Sequence, residues 1–226
     1  MNIAIVITNY NYKQYLRQAV ESAVNQSVKA SEILIVDDKS TDGAEKYLPE
    51  LAKEFNVSYV IHDQNLGLPS SRNTGIKNTK SELIQFLDAD DILYKDKLKM
   101  SLEVFEKYPP VSIVYTDYDE IDLSTGKSRR EFKHPYDVNL LDQACIISTN
   151  SCFRRSFFDE NGLYNPKYKV AEDYELYLRA KYRMMAYHIA KPGFAYRLHG
   201  KNITLTQQDQ MMRNMSEYKQ NLVGTK

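Results

Sequence analysis

Apolar residues arrive early in this chain as short, nearly unbroken runs, and each run stops abruptly on a polar cluster. Ile3–Ile7, Ile33–Val36 and Leu83–Leu87 have the length and β-branched content of strands buried on both faces. Between the first two runs, Leu16, Ala19, Val20, Ala23 and Val24 recur at helical spacing. Ala44, Tyr47, Leu48, Leu51 and Phe55 repeat that spacing after the second. Val57–Ile61 predicts a further strand. Strand and helix thus alternate over the first hundred or so residues, which predicts an α/β fold, a mostly parallel central sheet flanked by helices. Ligands of such sheets bind beyond the carboxyl ends of the strands. The polar clusters Thr8-Asn9-Tyr10-Asn11, Asp37 to Gly43 and Asp88-Ala89-Asp90-Asp91 all fall there.

Farther on, Leu98, Leu102 and Phe105 predict a helix that Pro109-Pro110 ends, and Val111–Tyr115 predicts a strand. The polar stretch from Asp119 to Asn139 reads as a hairpin or surface loop, with Lys127-Ser128-Arg129-Arg130 as a solvated face. Glu172 and Asp173 precede Tyr174, Tyr177 and Leu178 at helical spacing, so the acid pair is expected in a helix's first turn, where the macrodipole favours negative charge. Met185–Ile189 and Phe194–Leu198 predict a pair of short strands. Met211, Met215, Tyr218 and Leu222 form one helical stripe, expected to pack on the body of the same chain.

Bulk properties narrow the function. With 30 basic and 30 acidic residues among 226, the chain offers no large positive field for a nucleic-acid backbone. The length suits one substantial domain. Two cysteines, Cys145 and Cys152, lack zinc-site spacing and the density of a secreted scaffold, so a reducing cytoplasmic setting is expected. The first residues carry no basic leader, and no run approaches a membrane span.

The sharpest chemistry lies where Gln85-Phe86-Leu87 runs into Asp88, Asp90 and Asp91. Residues two apart in an extended segment share a side, so Asp88 and Asp90 can converge on one hard cation while Asp91 turns away. Mg²⁺ or Mn²⁺ held by two carboxylates keeps positions open for phosphates. The competing reading is that these acids only mark a turn. Three polar clusters at three strand ends weigh against it.

In order, Ile7-Thr8-Asn9-Tyr10-Asn11, Gln26, Glu32 to Gly43, Asn65-Leu66-Gly67, Ser71-Arg72-Asn73-Thr74-Gly75, Phe86 to Asp91, Ala171-Glu172-Asp173-Tyr174 and Tyr196-Arg197-Leu198-His199-Gly200 resemble the family 2 inverting glycosyltransferases of the GT-A fold. The likeness extends from the first strand to about Thr204. Asn9 and Lys39 depart from the pattern, and neither carries a reacting group. The resemblance implies a single GT-A domain over 1–203, with a nucleotide-binding half at 1–110, an acceptor-binding half at 111–203 and a helical tail at 204–226.

By that resemblance Thr8 and Tyr10 would line the nucleobase pocket, Asp37 or Asp38 would accept hydrogen bonds from base or ribose, and Arg72 would lie near the nucleotide. Asp90 would hold Mn²⁺ or Mg²⁺ against the diphosphate, with Asp88 beside it through metal water or ribose and His199 adding a nitrogen. Asp173 would be the base and Glu172 the alternative, since adjacent acids at a helix start point in different directions. Asp42 is expected only to cap a helix, Asn73 and Gly75 to shape a turn, and His62, His134 and His188 to be structural. The implied reaction moves a sugar, with inversion, from a nucleoside-diphosphate donor, UDP-linked, to a hydroxyl of a glycan or lipid-linked carbohydrate in cell-surface polysaccharide synthesis. The stretch from Tyr118 to Cys152 would decide acceptor choice, and any membrane association would be peripheral. Two rivals remain: a non-catalytic sugar-nucleotide-binding protein on the same fold, which would have no use for the late acid, and a sugar-phosphate nucleotidyltransferase, which would want a glycine-rich basic loop where Thr8-Asn9-Tyr10-Asn11 stands.

Overall fold

The computed structural model describes residues 1–223, with the side chains of the last helix described to Gln220. The elements run β1 (Ile3–Asn9), α1 (Lys13–Val24), β2 (Glu32–Asp37), α2 (Ala44–Phe55), β3 (Ser58–Ile61), α3 (Leu68–Asn78), β4 (Leu83–Asp88), β5 (Ile92–Leu93) and α4 (Lys97–Lys107). They continue with β6 (Ile113–Asp122), β7 (Ser128–Glu131), α5 (Val138–Gln143), β8 (Cys152–Arg154), α6 (Arg155–Asn161), α7 (Glu172–Ala180), β9 (Ala186–Leu198), α8 (Ile203–Thr206) and α9 (Gln208–Val223).

The strands join in the order β3-β2-β1-β4-β8-β6-β9-β5, with β7 on β6. The first four are parallel, as their apolar runs predict, and β1 is buried along its whole length. Beyond β4 the sheet is mixed: β8 is antiparallel to both neighbours, and β9 is parallel to β6 but antiparallel to β5. One apolar cluster lies on each side of the sheet. No helix among the described residues is long and apolar enough to cross a membrane.

Three expectations are corrected. The predicted strand pair at 185–198 is one strand, β9, because Thr116 pairs with Ile189 while the next residue, Asp117, pairs with Pro192. The ladder absorbs the slack there as a bulge instead of turning back. Gly193, just past the bulge, has no room for a side chain, since a Cβ would stand 2.4 Å from the Thr116 hydroxyl. Asn73 and Gly75 sit inside α3 and shape no turn. Gly75 lets that helix lie on the sheet, where a Cβ would meet Val6 Cγ1 at 2.2 Å. The Asn73 amide ties α3 to Tyr164, donating to its carbonyl at 2.8 Å and accepting its N–H at 3.0 Å.

The polar stretch after β6 begins as the expected hairpin with β7, whose Ser128, Arg129 and Arg130 are exposed. Asp42 serves two helix starts, accepting from Lys13 N at 2.8 Å and Ala44 N at 3.1 Å. In α9, Tyr218 is buried against the Tyr168 ring and donates to the Val170 carbonyl at 3.1 Å, so the stripe packs within the chain. The Leu222 side chain, expected on the same stripe, lies outside the described residues.

Candidate active site

The carboxyl ends of β1, β2 and β4 open onto a cleft of about 850 Å³, closed on its other sides by the end of β6, the start of α7 and the segment from Leu198 to Met215. Thr8, Tyr10, Asp38, Arg72, Asp88, Asp90, Glu172 and Asp173 all line it. Parallel register brings the first of these together: Thr8 is level with Asp88 across β1 and β4, and its hydroxyl donates to Asp88 Oδ1 at 2.9 Å. Tyr10, beyond the strand, is 44% exposed and can swing against a ligand.

The acidic loop after β4 is held from behind. Asp91 turns away from the cleft, fully buried, and accepts from Asn150 Nδ2 at 2.6 Å and from Arg197 N at 3.1 Å. Asn150 also accepts the Asp88 N–H at 2.9 Å, so one side chain sets the loop's direction. It does so from a left-handed backbone, φ 52°, which asparagine tolerates better than most residues. The buried Arg197 guanidinium caps the loop's carbonyls at Ala89 and Asp90. Burial, with Asp90 and Asp88 nearby, holds the Asp91 carboxyl well above the usual carboxylate range.

Asp90 meets His199 from the far end of the chain, Oδ2 to Nε2 at 3.0 Å. The Lys201 N lies 3.3 Å from His199 Nδ1 and the Asn202 Nδ2 lies 3.3 Å from Nε2. With its proton at Nδ1, the ring would present Nε2 beside Asp90 Oδ2 as two neighbouring donors for one cation. The Asp90–His199 pair therefore fits a hard divalent ion. Asp88 lines the same cleft but is engaged by Thr8 and by Arg72 Nη2 at 3.3 Å. Among the described residues no three His, Cys, Asp or Glu side chains close on one point. The three-residue set is thus two converging donors, Asp90 on the cleft and His199 buried outside its lining, with the Asp88 carboxylate on the same cleft.

The acid pair divides. The first turn of α7 follows Ala171, whose left-handed φ of 57° swings the helix start toward β4. Glu172 points inward and forms a short ion pair with Arg72 Nη1. Burial pushes the Glu172 carboxyl up to about 7, against the opposing pull of Arg72. Arg72 is 3% exposed, lies between the Phe86 and Tyr164 rings and also reaches Asp88, while its Nε has no partner. Asp173 lies at the cleft wall and accepts, among the described residues, only its neighbour's N–H, Tyr174 N at 2.7 Å. Desolvation raises its carboxyl above the ordinary range, with Arg72 opposing.

The two aspartates after β2 also separate. Asp37 has no exposed surface; Ser40 N and Oγ and Asn9 Nδ2 occupy both its oxygens, so it builds the loop behind the cleft and is not placed to meet a ligand. Asp38 lines the cleft and gathers Leu66 N at 2.8 Å, Gly67 N at 2.7 Å and His62 Nδ1 at 2.7 Å. His62, expected to be structural, is so in a specific sense: it bridges Asp38 to the Thr74 hydroxyl of α3. Asn150 and Lys133 were not singled out in the sequence, and Met211 and Met215, read there as a packing stripe, also line the cleft. Only Lys133 carried a signal, its charge within the irregular stretch.

The model described as Glycosyl transferase family 2 matches residues 4–162. Chondroitin synthase of Escherichia coli is 29% identical over 213 residues, 94% of this chain and 31% of that protein. The putative glycosyltransferase EpsH of Bacillus subtilis is 27% identical over 227 residues, 94% of this chain and 65% of EpsH. This chain spans about a third of the length of the first curated relatives it matches. Among solved structures, S. aureus TarS 1-349 in complex with UDP-GlcNAc superposes with a TM-score of 0.77 at 17% identity, covering 96% of this chain and 66% of that one. Mannosyltransferase PcManGT from Pyrobaculum calidifontis, in complex with GDP-Man and Mn²⁺, gives 0.68 at 18% identity, covering 89% of this chain and 58% of that one. At such identities these likenesses speak for the fold alone.

Proposed function

The chain belongs to glycosyl transferase family 2 and has the GT-A fold, and from that premise we propose that it transfers a sugar, with inversion, from a UDP-linked donor to a hydroxyl of a carbohydrate acceptor, in the building of a surface polysaccharide. The observation that carries the reading is the division of labour in the acid pair. Glu172 is paired with Arg72, whereas Asp173 has no side-chain partner among the described residues and lines the cleft that Asp88 and Asp90 also line. A base needs that freedom and that placement.

In this reading the nucleotide lies across the ends of β1 and β2, against Thr8, Tyr10 and the loop that Asp38 holds. Asp90 and His199, with Asp88 beside them, would hold Mn²⁺ or Mg²⁺, which supplies positive charge to the departing diphosphate. Asp173 takes the proton of the acceptor hydroxyl as its oxygen attacks the anomeric carbon from the face opposite the diphosphate. The relatives' names support the class of reaction, and TarS with UDP-GlcNAc and PcManGT with GDP-Man and Mn²⁺ support a nucleotide-sugar donor and a metal. Calorimetric titration of UDP, GDP and dTDP with and without Mn²⁺, against the wild type and Asp90→Ala, tests the donor site. UDP is expected to bind only with metal and only to the wild type. No binding of any nucleotide would overturn the donor assignment.

A further inference from the structure

We propose that the acceptor carries an anionic group, a sugar carboxylate or a phosphate, and that Lys133 receives it on the cleft that Asp173 also lines. This rests on the glycosyl-transfer reading above and adds the acceptor's chemical class to it. Lys133 follows β7, is half-buried and lines the cleft. Its backbone is fixed: Lys133 N donates to Asp117 Oδ1 at 2.8 Å, and the buried Asp117 is held in turn by His188 Nε2 at 2.8 Å.

The ammonium itself is poorly served. It has three hydrogens to donate, and its one partner among the described residues is the Cys145 carbonyl at 3.5 Å, long for a charged donor. Nearby carboxylates are committed elsewhere. Glu120, on the same cleft, pairs with Arg129 at 3.2 Å, and Asp117 already accepts from His188 and from the Lys133 backbone. Asp173 is close enough for the Lys133 charge to pull its carboxyl down, yet the two form no ion pair. An ammonium with one long hydrogen bond keeps donors for an anionic ligand. Lys133 and Asp173 line one cleft, so an acceptor bound there can meet both. An anionic substituent there would orient the acceptor's hydroxyl toward the base.

The test measures UDP release from UDP-GlcNAc and UDP-glucose, with Mn²⁺, in the presence of p-nitrophenyl β-D-glucuronide, p-nitrophenyl β-D-glucoside or p-nitrophenyl β-D-glucoside 6-phosphate. Wild type and Lys133→Met are compared, and both are titrated with UDP. The wild type is expected to use one anionic glycoside at a kcat/KM about ten- to a hundredfold above the neutral one, the range for losing a hydrogen bond to a charged group. Lys133→Met should remove that preference through KM and still bind UDP. Carboxylate against phosphate is decided by which anionic glycoside is preferred. Equal use of the neutral glycoside, no stimulation by either anionic one, or a preference that survives in Lys133→Met overturns the proposal. If UDP itself fails to bind the wild type, the glycosyl-transfer reading fails instead.

Discussion

Lys97 is the least expected charge in the fold, and its removal should stabilise the protein. The first residue of α4, it has no exposed surface, and its Nζ lies 3.4 Å from the Thr116 hydroxyl, with the Cys152 thiol as an ionisable neighbour. Burial pulls its pKa from 10.5 down to about 8, Cys152 opposing only slightly. At about 1.4 kcal/mol for each pKa unit, that difference costs the folded state about 3 kcal/mol whenever the amine is charged. The sign follows from proton counting. Between about pH 8 and 10.5 the unfolded chain binds the proton that the folded chain has lost, so wild-type stability rises with pH across that window and is lowest below it. Lys97→Met keeps the stem and removes the charge. Urea unfolding of both proteins at pH 7.5, 9 and 10.5 should find the variant more stable at pH 7.5 by up to about 3 kcal/mol, a rise of about 2–4 °C in Tm for each kcal/mol. The difference should shrink toward zero as the pH rises. A gap independent of pH, or a variant less stable at pH 7.5, would refute the account and mean that Thr116 or a water solvates the amine.

Asp173→Asn should lower transfer about 10²- to 10⁴-fold with UDP affinity in Mn²⁺ within a few-fold of wild type; equal loss of both would make Asp173 a binding or folding residue. Glu172→Gln should lose about 2–4 kcal/mol of folding stability, because it leaves Arg72 buried with only Asp88, while costing transfer less than Asp173→Asn does. Chemical denaturation and initial rates measure the two effects. Gly75→Ala should cost about 1–3 kcal/mol by overpacking, since its Cβ would stand 2.2 Å from Val6 Cγ1. Adding Val6→Ala should recover part of that loss, and strict additivity in this double-mutant cycle would show that the two sites do not touch.

The parallel half of the sheet was legible because a strand buried on both faces must be apolar throughout, and Ile3–Ile7 and Ile33–Val36 are. The mixed half was not. The three-residue β8 and two-residue β5 are too short for any period, and a bulge hidden between Thr116 and Asp117 turned one strand into two apparent ones. Helix α3 was missed because Ser71, Arg72, Asn73 and Gly75 give its buried face a polar sequence. Its partners, Glu172 for Arg72 and Tyr164 for Asn73, lie about a hundred residues away. Asp88 and Asp90 could be named from their spacing, and Asp38, Glu172 and Asp173 from the family resemblance, but not their partners. That Asp37 faces away and Asp38 inward is decided by Ser40 and by the 66–67 amides.

Arg72 turns these long-range pairings into one device. It is a buried cation shared between Asp88 at the end of β4 and Glu172 at the start of α7, so the strand that carries the candidate metal loop and the helix that carries the candidate base are fixed to the same guanidinium. Consecutive helical residues point about 100° apart. Turning Glu172 inward to Arg72 therefore gives Asp173 a different direction, at the cleft wall, so the two adjacent acids have different surroundings. In the proposed reaction the same pairing would lessen the repulsion of an incoming diphosphate, since Glu172 is paired with Arg72 and Asp88 is shared with it. Without Glu172 the guanidinium would be left to Asp88 alone.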